Sequence, residues 1–116
     1  MIPRVLQRYV LDHDGNPVPE DDPAEWKTFM RDVDRRRVAM DDADRWTVTT
    51  VFMGIDHNLV GSGPPLLWKT SVYGPQPWGG FSCWYASRWR ALSQHDQVAE
   101  AVRRGKGLPQ QPFPLG

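Results

Sequence analysis

The sequence predicts an α+β domain: a small, mostly antiparallel sheet with two helices packed on one face. Three observations carry this. Two β-branched, alternating segments at 46–55 and 66–73 flank a polar loop rich in Gly and Pro. A strong helix-start signal stands at Asp22, and helical spacing of apolar residues extends from Ser82 to about Arg104. Read along the chain, strand, helix, hairpin, strand, helix is an α+β order rather than an alternating α/β one.

Each element has its own local reason. Val5, Leu6, Tyr9, Val10 and Leu11 form a β-prone run that stops at the turn formers Asp12 to Asn16. Asp22 as N-cap, Pro23 at the first helical position and Glu25 three residues after the cap open a helix. Its stripe of Trp26, Phe29, Met30 and Val33 should be buried, and it should end near Asp34. Arg37 to Met40 is a brief strand, with Asp41, Asp42, Ala43 and Asp44 supplying the turn into the longest strand. That strand, from Trp46, is apolar on both faces toward its end, as a central strand should be. Leu66 to Tyr73 forms the next, closed by a turn from Gly74 to Gly80.

The last helix is expected to open at Ser82 or Cys83, with Trp84, Arg88, Ala91, His95, Val98 and Val102 along one stripe and Trp89 and Leu92 beside it. Arg103 and Arg104 suit the negative end of its dipole, and Gly105 suits its stop. Residues 1–105 thus read as one domain, and 106–116, with its prolines and glutamines, as an extended tail.

Composition narrows the function. The 116 residues hold 14 basic and 14 acidic side chains, so no overall field favours nucleic acid or membrane. The charges are unevenly spread: residues 1–60 carry 12 acids and 8 bases (net −4), residues 61–116 carry 2 and 6 (net +4). A single cysteine, Cys83, fits a reducing compartment. The N-terminus lacks the pattern of a signal peptide and no apolar run is long enough to span a bilayer, so a cytoplasmic location is expected.

The segments TVTTVFMGIDHN at 47–58 and GSGPPLLWKTSVYG at 61–74, followed by Trp84, resemble a recurring group of small proteins encoded by tailed bacteriophages and prophages. The resemblance spans most of residues 5–102 and implies a phage accessory role in the host cytoplasm. Two departures stand out. Trp68-Lys69 replaces an aromatic followed by an acid, and the last helix is basic and Trp-rich where relatives are acidic and Ala-rich.

Candidate chemistry centres on Asp56, His57, Asn58, Gly61 and Gly63 in the loop between the two segments. All three histidines adjoin an aspartate, a combination able to ligate a divalent metal if the side chains converge, but no HxxxH or HExxH spacing is present. At Asp56 and His57, neighbouring side chains project differently, so that one can cap the loop while the other faces solvent. A hydrolytic reading would make His57 a general base oriented by Asp12 or Asp14, with Ser62 or a water as nucleophile; no nucleophile-elbow motif surrounds Ser62. GSGPP lacks the Lys-Ser or Lys-Thr of a phosphate loop.

Neither cofactor nor metal is therefore expected, and the favoured function is non-catalytic binding of a host or phage protein. Its sharper form is an inhibitor of a host defence system of the anti-CRISPR or anti-restriction kind. The alternatives are a small metal-dependent or hydrolytic enzyme built on Asp56 and His57, and a homo-oligomeric structural protein in which a second copy is the partner. Tyr85, Trp89, Arg90, Arg103 and Arg104 are the candidate partner-binding residues, because Trp, Tyr and Arg dominate binding hot spots. The modest cation count and neutral charge disfavour nucleic acid.

Overall fold

The computed structural model describes residues 7–59 and 62–105. Val5 and Leu6 of the expected first strand, Gly61, and the expected tail at 106–116 lie outside them. A short hairpin comes first, β1 (Tyr9–Leu11) and β2 (Pro17–Pro19), followed by α1 (Pro23–Met30) and the single turn α2 (Val33–Arg36). Then β3 (Arg37–Ala43), β4 (Trp46–Phe52), β5 (Trp68–Tyr73) and β6 (Ser82–Tyr85) pair in sequence order as an antiparallel sheet. Helix α3 (Arg88–Arg103) packs across all four strands. This is the expected α+β class, with β4 inside the sheet as its two apolar faces require.

Local chemistry explains where the elements begin and stop. The Asp12 carboxylate accepts from the amides of Asp14 and Asn16 and closes the first hairpin. Asp22 caps α1 by accepting from the Ala24 amide, with Pro23 at the first helical position. The helix does not continue to Asp34. It stops at Met30, and Asp32 starts a new turn by accepting from the Arg35 amide. None of the α1 residues is fully buried, so its apolar stripe is only half covered.

Two further expectations are corrected. Asp41, Asp42 and Ala43 continue β3 instead of turning, and Asp44 makes the turn with a left-handed backbone (φ 58), which Asp tolerates better than most residues. The last helix does not open at Ser82 or Cys83. Residues 82–85 alternate between half-buried and buried positions along a strand, and the helix begins only after Ser87, whose hydroxyl accepts from the Arg90 amide. The Trp84 side chain therefore leaves the helical stripe and belongs to the sheet.

Beneath α3 the core forms three layers that follow strand register. Phe52, Trp68 and Tyr85 stand abreast in one apolar layer with Leu11, Leu67 and Ala91, and Cys83, opposite Thr70, borders it. Phe29 of α1 meets the same layer edge-on, its ring centroid 5.9 Å from that of Phe52. Val48 and Val72 form a second apolar layer with Ala43, Trp78, Val98, Ala99 and Val102. Between the two, Thr50 faces Thr70, and His95 of α3 descends onto them.

The first hairpin and α1 are anchored at Gly54. Its carbonyl accepts from the Tyr9 amide (2.8 Å) and from the Trp26 indole N–H (2.9 Å). Its φ of +72° lies in the left-handed region, and an added Cβ would stand 2.7 Å from Met30 Sδ. Gly54→Ala should therefore destabilise the fold by about 1–3 kcal/mol through backbone strain alone, with crowding adding to it. Urea denaturation reads this directly, and an unchanged midpoint would contradict the anchor.

Candidate functional site

The loop singled out by the sequence divides into a scaffold and a presented side chain. Asp56 and Asn58 are buried. Asp56 Oδ1 accepts from the amides of Asn58 (2.8 Å) and Leu66 (3.1 Å), and Asn58 Nδ2 donates to the carbonyls of Ser62 (2.8 Å) and Pro64 (2.9 Å). These bonds satisfy the backbone groups of Asn58, Ser62, Pro64 and Leu66 beside the strand ends, as polar backbone that leaves and re-enters a sheet requires. Gly63 contributes a left-handed turn (φ +85°), and Gly61 lies outside the described residues. His57 points away, exposed, with its ring stacked on Trp84 at 3.9 Å between centroids and 12° between planes.

The side chains of Asp56 and His57 thus part company: one binds amides within the loop, the other lies on an indole. The three histidines sit in three places: His13 in the first hairpin turn, His57 on Trp84, and His95 under α3. Among the described residues no three His, Cys, Asp or Glu side chains gather as metal ligands would.

His95 has the partners of a relay but not its reach. Its Nε2 lies 2.7 Å from Asp41 Oδ2 and its Nδ1 2.8 Å from Thr50 Oγ1, which is 2.6 Å from Thr70 Oγ1. A carboxylate can only accept, so Nε2–H donates to Asp41; when Nδ1 carries no proton, the Thr50 hydroxyl donates to it. Thr70 then donates to Thr50. A catalytic hydroxyl must meet a substrate, whereas Thr50, Thr70 and His95 are fully buried in the packed core. The Tyr85 hydroxyl extends the network through Thr70 and Cys83. Burial pushes the Tyr85 phenol far above its ordinary value of 10.0 and raises the Cys83 thiol as well.

Two outer surfaces remain. On α3, Trp89 is 75% exposed, opposite the buried stripe of Ala91, His95, Val98 and Val102. Arg90 is half-buried beside it. Arg103 and Arg104, at the far end of the helix, engage Asp41 (3.5 Å) and Glu100. Tyr85 is buried in β6 and does not belong to this surface.

The second surface is the face of the sheet turned away from α3. Register places its side chains in three rows: Asp42, Thr47 and Tyr73; Met40, Thr49, Ser71 and Ser82; Arg37, Val51, Lys69 and Trp84. Tyr73 and Met40 are 62% and 52% exposed, and Lys69 Nζ lies 5.6 Å from the Trp84 ring centroid, a cation over an aromatic face. Sequence reasoning missed this surface because it placed Trp84 on a helix. The Ser87 cap signal three residues before Arg90 was the clue that the helix starts later.

No family model, curated protein or solved structure matches the chain. Among the described residues no helix is long and apolar enough to cross a membrane.

Two predictions follow from this arrangement. Asp56→Ala, which strands two amides, should cost about 1.5–3 kcal/mol, and His57→Ala, which loses one exposed ring contact, about 0.5–1.5 kcal/mol. Denaturant titration of both variants tests the order, and a larger loss for His57→Ala would reverse the assignment of scaffold and presented residue. The second concerns alkali. Because Cys83 and Tyr85 hold their protons more tightly when folded, the unfolded chain loses protons first as pH rises through their ordinary values of 9.0 and 10.0. Stability should be undiminished by these groups below pH 9.0 and fall above it, and Tyr85→Phe should flatten the part of the decline above pH 10.0.

Proposed function

We propose that the chain is a non-catalytic accessory protein of a phage or prophage that acts in the host cytoplasm by binding another protein. In its sharper form it is an inhibitor of a host defence system that works by occupying a surface. The phage origin rests on the resemblance carried by residues 47–58 and 61–74. The binding reading rests on one observation above all, the 75% exposure of Trp89 on the outer side of an otherwise amphipathic helix.

An indole left in water forgoes burial worth about 1.5–3 kcal/mol for a large apolar side chain, which a partner would recover. Tryptophan flanked by arginine is the composition of a binding hot spot, and Arg88 and Arg90 flank this one in sequence. Among the described residues Trp89 belongs to neither apolar core layer, which leaves its ring available to an interface.

Trp89→Ala should accordingly weaken partner association by at least about 1 kcal/mol while leaving folding stability within about 0.5 kcal/mol of wild type. Affinity capture from host lysate, compared between wild type and variant, tests a foreign partner, and sedimentation of the same pair tests self-association. Equal capture and equal sedimentation for both chains would remove Trp89 from the interface; unfolding of the variant would return it to the core.

A further inference from the structure

We propose that the helix-free face of the β3–β6 sheet is a second docking surface, and that its occupant is an acidic segment of a partner protein. The surface rests on the protein-binding reading but uses residues on the opposite side of the sheet from α3.

Its chemistry is lopsided. Lys69 on β5 and Arg37 on β3 stand in one row, joined across β4 by Val51, and neither has an acidic partner among the described residues. Asp42 is the one carboxylate that register places on this face. It lies in the opposite outer row, where its Oδ1 accepts from the Thr47 hydroxyl at 3.0 Å. A chain of zero net charge thus presents two unneutralised cations on this face, with Val51 between them, hydroxyls in the adjacent row and Trp84 beside Lys69.

Carboxylates supply what those cations lack. Trp84 and Tyr73 then offer apolar contact on either side: Trp84 is already held flat by the stacked His57, and Tyr73 is open to solvent. Such preorganisation favours binding, since a ring fixed beforehand loses little freedom when covered. Nucleic acid fits less well, because its affinity grows with the number of phosphates neutralised and this face brings two strong cations. An acidic protein segment needs only two matching carboxylates and apolar residues between them.

The test uses the full chain, labelled with 15N, titrated with a short synthetic peptide of glutamate and leucine and, separately, with single-stranded oligothymidylate. The peptide should shift the amides of Lys69, Tyr73 and Trp84 saturably. Lys69→Glu combined with Arg37→Glu should weaken that binding at least tenfold, and the milder pair Lys69→Gln with Arg37→Gln should weaken it less. The spectra themselves report whether each variant is folded.

The assignment is overturned if the peptide shifts no residue on this face, if oligothymidylate shifts these residues and the peptide does not, or if the shifts depend on protein concentration alone, which would make a second copy the occupant. Trp89→Ala separates this surface from the first. If it leaves peptide binding unchanged, the sheet face acts independently; if it abolishes peptide binding in a folded chain, the peptide sits on α3 and the sheet-face proposal fails. A failure here leaves capture through Trp89 standing.

Discussion

The fold turns on a polar layer held between two apolar ones. Phe52 and Trp68 lie on one side, Val48 and Val72 on the other, and between them Thr50 and Thr70 face each other at 2.6 Å under the ring of His95. Apolar layers alone would let α3 slide or rotate, because burial is non-directional. The hydrogen bonds are not. With Nδ1 on Thr50 and Nε2 on Asp41, the ring reaches both β4 and β3 at once, and any shift of the helix by a residue strands at least one buried group at about 1–3 kcal/mol. Arg103, engaging Asp41 two turns further along α3, adds a partly exposed contact to the same register. The layer thus specifies where the helix sits, and the apolar layers supply most of the reason it sits there at all.

That placement decides what the rest of the molecule can present. Helix α3 covers one face of the sheet completely enough that Thr50, Thr70 and Trp68 lose contact with water, and the opposite face is left to loop and solvent. Asp56 and Asn58 tie Pro64 and Leu66 to the end of β4, so the position of His57 on Trp84 follows from buried bonds beneath it. A rigid sheet carrying side chains held by a second set of contacts is the physical basis of a binding surface that needs little reordering. The same logic separates the two sides: Trp89 on the helix and the row from Arg37 to Trp84 on the sheet cannot share one flat partner.

Much of this was legible in the residues. The Asp22-Pro23 cap, the central character of the strand from Trp46, and the stripe of Ala91, His95, Val98 and Val102 each follow from short-range rules, and each holds. What failed was decided by partners distant in sequence. Ser82–Tyr85 has a pattern compatible with helix or strand, and β5 settled the matter by pairing with it. The aspartates at 41 and 42 resemble a turn until His95, 54 residues away, gives one of them a buried partner. In the candidate loop, the division between a capping Asp56 and an exposed His57 was expected, since adjacent side chains at a strand end diverge. Tyr85 was misassigned to the surface because alternation along β6 turns it inward, and the aromatic face built by Trp84, Lys69 and Tyr73 was invisible until register aligned three strands.

His95 locks α3 to the sheet and so determines which face stays open. The most direct measurement is NMR of the His95 imidazole at neutral pH. The imidazole should hold a single tautomer, protonated at Nε2 and accepting at Nδ1, with the hydroxyl protons of Thr50 and Thr70 protected from solvent exchange. A ring that exchanges between tautomers, or threonine hydroxyls that exchange as fast as exposed ones, would contradict it.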